Sequence, residues 1–205
     1  LVARWIKKNR TVRINKNGYH LDRDFLYRIF EEGKTYDFCY EDLLYLKKKF
    51  LPVFKTYERV KDILGDFIEH GSNKSVYNHK SEDNKVVKVY YSETSMRKEM
   101  RNYAQLVGDN LENILAPTIF YEGYAVQEKV NYFNRDYDYC KVVDACLIDD
   151  NAHNSGIIGN RCCILDFEQI DFDFIYNNYE DIQQACKYGE MSLLALEKLE
   201  NDYKR

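Results

Sequence analysis

At 205 residues, 45% apolar and 15% aromatic, the chain can bury a real core in one or two domains, and this composition argues against disorder. A net charge of −4 argues against broad nucleic-acid binding, and no apolar stretch reaches the length of a membrane span. Cys39, Cys140, Cys146, Cys162, Cys163 and Cys186 form no Cys-x-x-Cys pair and no zinc-finger spacing. That pattern points to a reducing, intracellular (cytoplasmic) setting. No secretory signal is visible. The chain begins at Leu1 without Met, as a processed or trimmed start would.

Residues 1 to about 66 read as mainly helical. Asp22 or Asp24 caps a helix carrying Phe25, Leu26, Ile29 and Phe30, which Gly33 ends. A second helix starts near Tyr40 with Leu43, Leu44, Leu46 and Phe50 on its apolar side. Pro52 allows a break or a new first turn, and Val53, Phe54, Tyr57, Val60, Ile63 and Leu64 follow at helical spacing. From Phe67 the pattern changes to strand, tight turn and strand around Gly71-Ser72-Asn73-Lys74. Lys85 to Tyr91 predicts a third strand, and Ser95 to Val107 an amphipathic helix with Met96, Met100, Tyr103 and Val107 on one face. Ala116 to Phe120 and Tyr124 to Val130 read as a strand pair around Glu122-Gly123. A loop, a short strand at Arg161 to Leu165 and two helices, about 178 to 187 and 190 to 203, complete the chain.

Three stretches carry chemistry by their order. Lys88 lies in Lys85-Val86-Val87-Lys88-Val89-Tyr90-Tyr91, where a strand lysine can reach a phosphate or simply face solvent. Asp149 stands five residues before Asn154 in Asp149-Asp150-Asn151-Ala152-His153-Asn154, with Asp150 as an adjacent competitor for the acid's role. Asp166 follows the apolar run Cys162-Cys163-Ile164-Leu165, twelve residues after Asn154. A carboxylate at a buried strand end is a good magnesium ligand, and the same residue also suits a turn or helix cap. Glu99 lies on the apolar side of its helix one turn before Tyr103, and a carboxylate buried there needs a partner such as Lys88. An exposed Glu99 would instead pair with Lys98 or Arg101. Gly71 opens a turn whose amides can approach phosphates or merely close a hairpin. Together these parts suit the holding of a Mg-nucleotide and the orienting of an attacking hydroxyl.

In this order the residues resemble the protein-kinase-like superfamily, including aminoglycoside-kinase-like and compact viral or bacterial members, over roughly Phe67 to Ile170. Residues 71 to 107 also resemble the small bacterial kinase-like family of the PhoP regulatory network. The resemblance implies that Gly71 and Ser72 belong to a phosphate loop. It further implies that Lys88 is the strand lysine and Glu99 the helix glutamate. Gln127-Glu128-Lys129-Val130 resembles the hinge that reads adenine through its backbone. Asp149 takes the place of the catalytic acid, and Asn154 and Asp166 those of the metal ligands. The cofactors implied are ATP and Mg²⁺.

Departures are as informative. Glu69 and Lys74 replace two loop glycines, Leu147-Ile148 replaces His-Arg, and Glu168 replaces the glycine after Asp-Phe, which allows backbone flipping. About twenty residues separate the hinge from Asp149, and no Ala-Pro-Glu segment follows Asp166. The expected architecture is therefore α+β and kinase-like. Residues 1 to 66 form a helical N-terminal extension, 67 to 130 a β-rich nucleotide lobe with one regulatory helix, and 131 to 205 a strongly reduced C-lobe. The expected function is Mg-ATP-dependent phosphotransfer to a Ser, Thr or Tyr hydroxyl of a protein substrate. The alternatives are a pseudokinase binding module that acts through a protein partner, and a small-molecule kinase.

Overall fold

A computed structural model describes residues 14–15, 18–19, 40–131, 143, 145–148, 154–159 and 161–182. The expected helices at 22–33 and 190–203 lie outside the described residues. The chain divides into two compact units, one of Leu1–Met96 with Ile119–Val126 and one of Arg97–Thr118 with Gln127–Arg205. It is α+β, and among the described residues no helix is long and apolar enough to cross a membrane.

In the first unit, a short hairpin pairs β1 (Ile14–Asn15) with β2 (Gly18–Tyr19). Helix α1 (Tyr40–Val60) follows as a single helix through Pro52. The expected break there does not occur, because Phe50, Val53, Tyr57 and Val60 make one continuous buried stripe across the proline. Burial of that stripe outweighs the hydrogen bond that proline removes. The helix stops at Val60 instead of continuing through Leu64, which begins β3 (Leu64–His70).

The central feature is a five-stranded antiparallel sheet. Its strands are β3, β4 (Lys74–His79), β5 (Lys85–Tyr90), β6 (Thr118–Tyr121) and β7 (Tyr124–Glu128), in the spatial order β3-β4-β5-β7-β6. Helix α2 (Glu93–Gly108) stands in the chain between the third and fourth strands. The edge strand β3 shifts register twice against β4 and is largely exposed, the irregularity by which edges resist further pairing. Central β5 is buried from Val86 to Tyr90, Lys88 included.

The β6–β7 turn explains how α1 is seated. Gly123 has φ +86°, a conformation that side chains disfavour, and an added Cβ there would lie 2.4 Å from Thr56 Oγ1 of α1. Arg59 Nη1 donates to the Glu122 carbonyl and carboxylate at 3.0 Å each. Tyr90, Met96 and Ala125 pack beneath this turn with Phe120.

The second unit is built on a hairpin of β8 (Ser155–Ile158) and β9 (Arg161–Ile164), registered Ser155 with Ile164 and Ile158 with Arg161. The sequence reading assigns residues 154–158 to a loop. Ser-Gly-Ile-Ile carries a weak strand signal by itself, and pairing with the apolar β9 makes it a strand. The Ala116 amide donates to the Ile164 carbonyl at 3.0 Å, and Asn131 and Ile157 exchange both backbone bonds at 2.8 and 3.0 Å. Ala116, Val130, Cys163 and Leu165 form a core at that junction. A 3-10 turn (Phe167–Gln169) and helix α3 (Phe172–Asn177) follow. Asp171 caps α3 by accepting from the Phe174 amide at 2.9 Å; the sequence reading does not mark this helix, and residues 179–182, within the expected helix at about 178 to 187, are helical.

Candidate functional site

Lys88 belongs to the first unit and is 4% exposed in the middle of β5, which excludes the solvent-facing alternative. At the hairpin tip, Gly71 and Ser72 are exposed, and the Gly71 amide donates to the Lys74 carbonyl at 2.9 Å. Lys74 is buried with its ammonium 5.9 Å from the centre of the Tyr90 ring.

Helix α2 supplies the second unit with Glu99. The expected apolar face of this helix is Met96, Met100, Tyr103 and Val107, yet Met100 and Val107 are exposed. The buried stripe is Met96, Glu99, Asn102 and Leu106. Hydropathy alone misplaces the face because two of its members are polar. The helix accepts that rotation because at least Asn102 has a buried acceptor, the Phe167 carbonyl at 2.8 Å. Glu99 is fully buried, so the reading of an exposed glutamate beside Lys98 or Arg101 does not hold.

The carboxylates of Glu99, Asp166 and Glu168 lie within 4.8 Å of one another. Lys98 Nζ stands 3.9 Å from Glu168, nearly half exposed and therefore a weak counter-charge. Asp166 follows β9 and caps the 3-10 turn, its Oδ1 accepting from the Glu168 amide at 3.0 Å. The β8–β9 hairpin returns the chain so that the Asn154 carbonyl accepts from the Leu165 amide at 2.7 Å and the Asp166 amide at 3.4 Å. Asn154 and Asp166, twelve residues apart, are thus neighbours. A donor set of oxygen atoms alone fits a hard divalent cation such as Mg²⁺ and suits zinc poorly. Asp149 and Asp150 lie outside the described residues.

At the end of β7, the Gln127 side chain is 2% exposed. Its Nε2 donates to Thr118 Oγ1 at 2.9 Å and to the Leu165 carbonyl at 3.2 Å. The Glu128 amide donates to the Pro117 carbonyl at 2.9 Å. Val130 packs so closely on the hairpin that a Cβ on Gly156 would lie 2.4 Å from its Cγ2. Phe167 is fully buried with its ring 4.9 Å from Tyr103.

Sequence reasoning marked Glu168 only as a lost glycine and passed over Asn102. The signal was available for Asn102, which stands three residues after Glu99 and so shares its helix face. Nothing local announces that Glu168 folds back toward Glu99. No known family model matches the chain, and no curated protein matches it.

Proposed function

We propose that the chain is an ATP- and Mg²⁺-dependent phosphotransferase of protein-kinase-like fold, acting on a hydroxyl of a protein substrate. The observation that carries this reading is that the Glu99 carboxylate lies within 4.8 Å of that of Asp166, far along the chain, while the Asp166 amide faces the Asn154 carbonyl. The order of the sheet adds support. In protein kinases the phosphate lysine stands on the third strand and its glutamate on the following helix. Here buried Lys88 is on the third strand of the five-stranded sheet, and fully buried Glu99 is on the helix that comes next.

In this account Lys88 holds the α- and β-phosphates and Glu99 orients Lys88. Asn154 and Asp166 hold Mg²⁺, which when bound neutralises charge on the transferring phosphoryl group. The backbone of Gln127, Glu128 and Val130 takes the adenine edge, and Gly71 and Ser72 cover the phosphates. Asp149 or its neighbour Asp150 orients the hydroxyl and accepts its proton. The hydroxyl oxygen bonds to the γ-phosphorus as the bond to the β–γ bridging oxygen breaks, and ADP leaves. Residues 1 to 66 serve as the N-terminal extension, 67 to 130 as the nucleotide lobe and 131 to 205 as the reduced C-lobe. The proposed setting is intracellular and reducing, a setting in which buried cysteines such as Cys146, Cys162 and Cys163 are at home.

A second reading, a pseudokinase binding module, is favoured by Lys74, whose buried side chain replaces a loop glycine. Thermal unfolding with ATP, with and without Mg²⁺, separates the two. The enzyme reading expects an upward shift that needs Mg²⁺ and is lost in Asp166→Ala. Intact-mass analysis should then show added phosphate on an acceptor with the wild type, and at least tenfold less with Lys88→Met at similar thermal stability. No Mg²⁺-dependent shift and no phosphate would leave the binding-module reading in its place.

A further inference from the structure

We propose that Asn102 and Gln127 form an amide clamp that holds the Asp166 turn in one fixed geometry, poised for a divalent cation. The cation's role rests on the phosphotransferase reading, while the clamp itself rests on geometry alone.

Asp166 lies between Leu165 and Phe167, and a buried side-chain amide grips the carbonyl of each neighbour. Gln127 Nε2 reaches the Leu165 carbonyl at 3.2 Å, and Asn102 Nδ2 reaches the Phe167 carbonyl at 2.8 Å. The peptide unit from Leu165 to Asp166 is also held at its other end, where the Asp166 amide faces the Asn154 carbonyl at 3.4 Å. The unit from Phe167 to Glu168 is likewise held twice, since the Glu168 amide donates to Asp166 Oδ1 at 3.0 Å. Rotating either unit would break two hydrogen bonds and strand a buried amide, a costly state.

The orientation of both amides follows from their partners. Thr118 Oγ1 donates its proton to the Ala116 carbonyl at 2.8 Å, so it can only accept from Gln127. Asn102 faces a carbonyl, which also only accepts. The clamp comes from two elements, α2 and the end of β7, so either half survives loss of the other. The Phe167 ring, buried against Tyr103, closes the turn from a third side. Glu168 completes the picture, because a residue with a Cβ resists the backbone flip that glycine permits at that position. The turn is therefore a fixed positioning device for Asp166 and not a switch. Asn102 and Gln127 act through Asp166 as positioning residues.

The test uses the full chain and two near-isosteric variants, Gln127→Met and Asn102→Leu. Amide hydrogen exchange is followed by NMR in the free protein, with Val87 of β5 as the control. In the wild type the Asp166 and Glu168 amides should be strongly protected. Asp166 should exchange at least tenfold faster in Gln127→Met and Glu168 at least tenfold faster in Asn102→Leu, while Val87 is unchanged. Calorimetric titration of ADP at rising Mg²⁺ gives the second readout. The Mg²⁺ concentration for half-maximal enhancement should rise about tenfold or more, the usual effect of removing an outer-shell partner. ADP affinity in EDTA should stay the same in Asn102→Leu. Free-peptide exchange at Glu168 in the wild type overturns the clamp without any variant, so loss of folding in one or both variants does not rescue it. Faster exchange with an unchanged Mg²⁺ midpoint overturns the positioning role. A wild type that shows no Mg²⁺-dependent ADP binding sinks the phosphotransferase reading, and the exchange results still decide the clamp.

Discussion

Gly156→Ala should be among the most damaging single-methyl additions in the second unit. The new Cβ would lie 2.4 Å from Val130 Cγ2 and 2.8 Å from Val130 Cβ. Carbon atoms prefer a separation of roughly 3.5–4.0 Å, so the two residues must part by about an ångström. Turning the valine side chain relieves only the first contact, because Cβ is fixed to the backbone. The backbone must then move, and it is tied by the paired bonds between Asn131 and Ile157 at 2.8 and 3.0 Å. Over-packing costs about 1–3 kcal/mol, and weakening two backbone bonds adds about 1 kcal/mol, so a loss of about 2–4 kcal/mol is expected. Val130→Ala alone removes two buried methyl groups, for about 1.5–3 kcal/mol including the cavity. In the double variant the alanine methyl at position 156 fills part of that cavity. The double variant should therefore be at least about 1 kcal/mol more stable than the sum of the single losses. Urea unfolding measures this through the midpoint at constant slope. Additive losses within about 0.5 kcal/mol would refute the close approach between Gly156 and Val130.

Tyr57 offers a test with a sign in pH. Burial, reinforced by the neighbouring Tyr77, holds its hydroxyl well above the ordinary value of 10.0. Below that value both states are protonated, and Tyr57→Phe should cost about 1 kcal/mol through the lost partner of the Tyr77 hydroxyl, which donates to it at 3.1 Å. As pH rises past 10 only the unfolded chain gives up this proton, so the group's stabilisation declines by up to about 1.4 kcal/mol per pH unit. The gap between wild type and Tyr57→Phe in urea unfolding should shrink above pH 10, and a constant gap from pH 8 upward would contradict the buried-hydroxyl account. A chain of residues 67–205 should aggregate or remain unfolded, because it lacks buried Phe50, Val53, Tyr57, Val60 and Leu64. A cooperative unfolding transition in that fragment would show the N-terminal segment to be dispensable.

Much of the α+β order was legible because its signals are local. The β-branched run around Lys88 is a strand with or without its neighbours, and Glu122-Gly123 marks a turn by glycine's tolerance of positive φ. Three things were not legible, for related reasons. Strand β8 depends on a partner that comes later in the chain. The face of α2 was misplaced because Glu99 and Asn102 are polar and find acceptors or charges that hydropathy does not register. The length of α1 was misread because Pro52 is a strong local breaker that a continuous apolar stripe overrides. In the candidate site, Asn154 and Asp166 were marked by spacing and by the apolar run before Asp166, whereas Glu168 joins them only when the chain folds back on itself.

The central claim is best tested by transfer of label from γ-labelled ATP to candidate acceptor proteins, with Asp149→Ala and Asp166→Ala run beside the wild type. The account predicts Mg²⁺-dependent labelling by the wild type. Asp166→Ala should lose both labelling and Mg²⁺-dependent nucleotide binding. Asp149→Ala should keep binding and lose transfer by about two orders of magnitude or more, unless Asp150 is the acid that takes the proton. Absence of labelling with the wild type, together with unchanged partner binding by both variants, would contradict the phosphotransferase account.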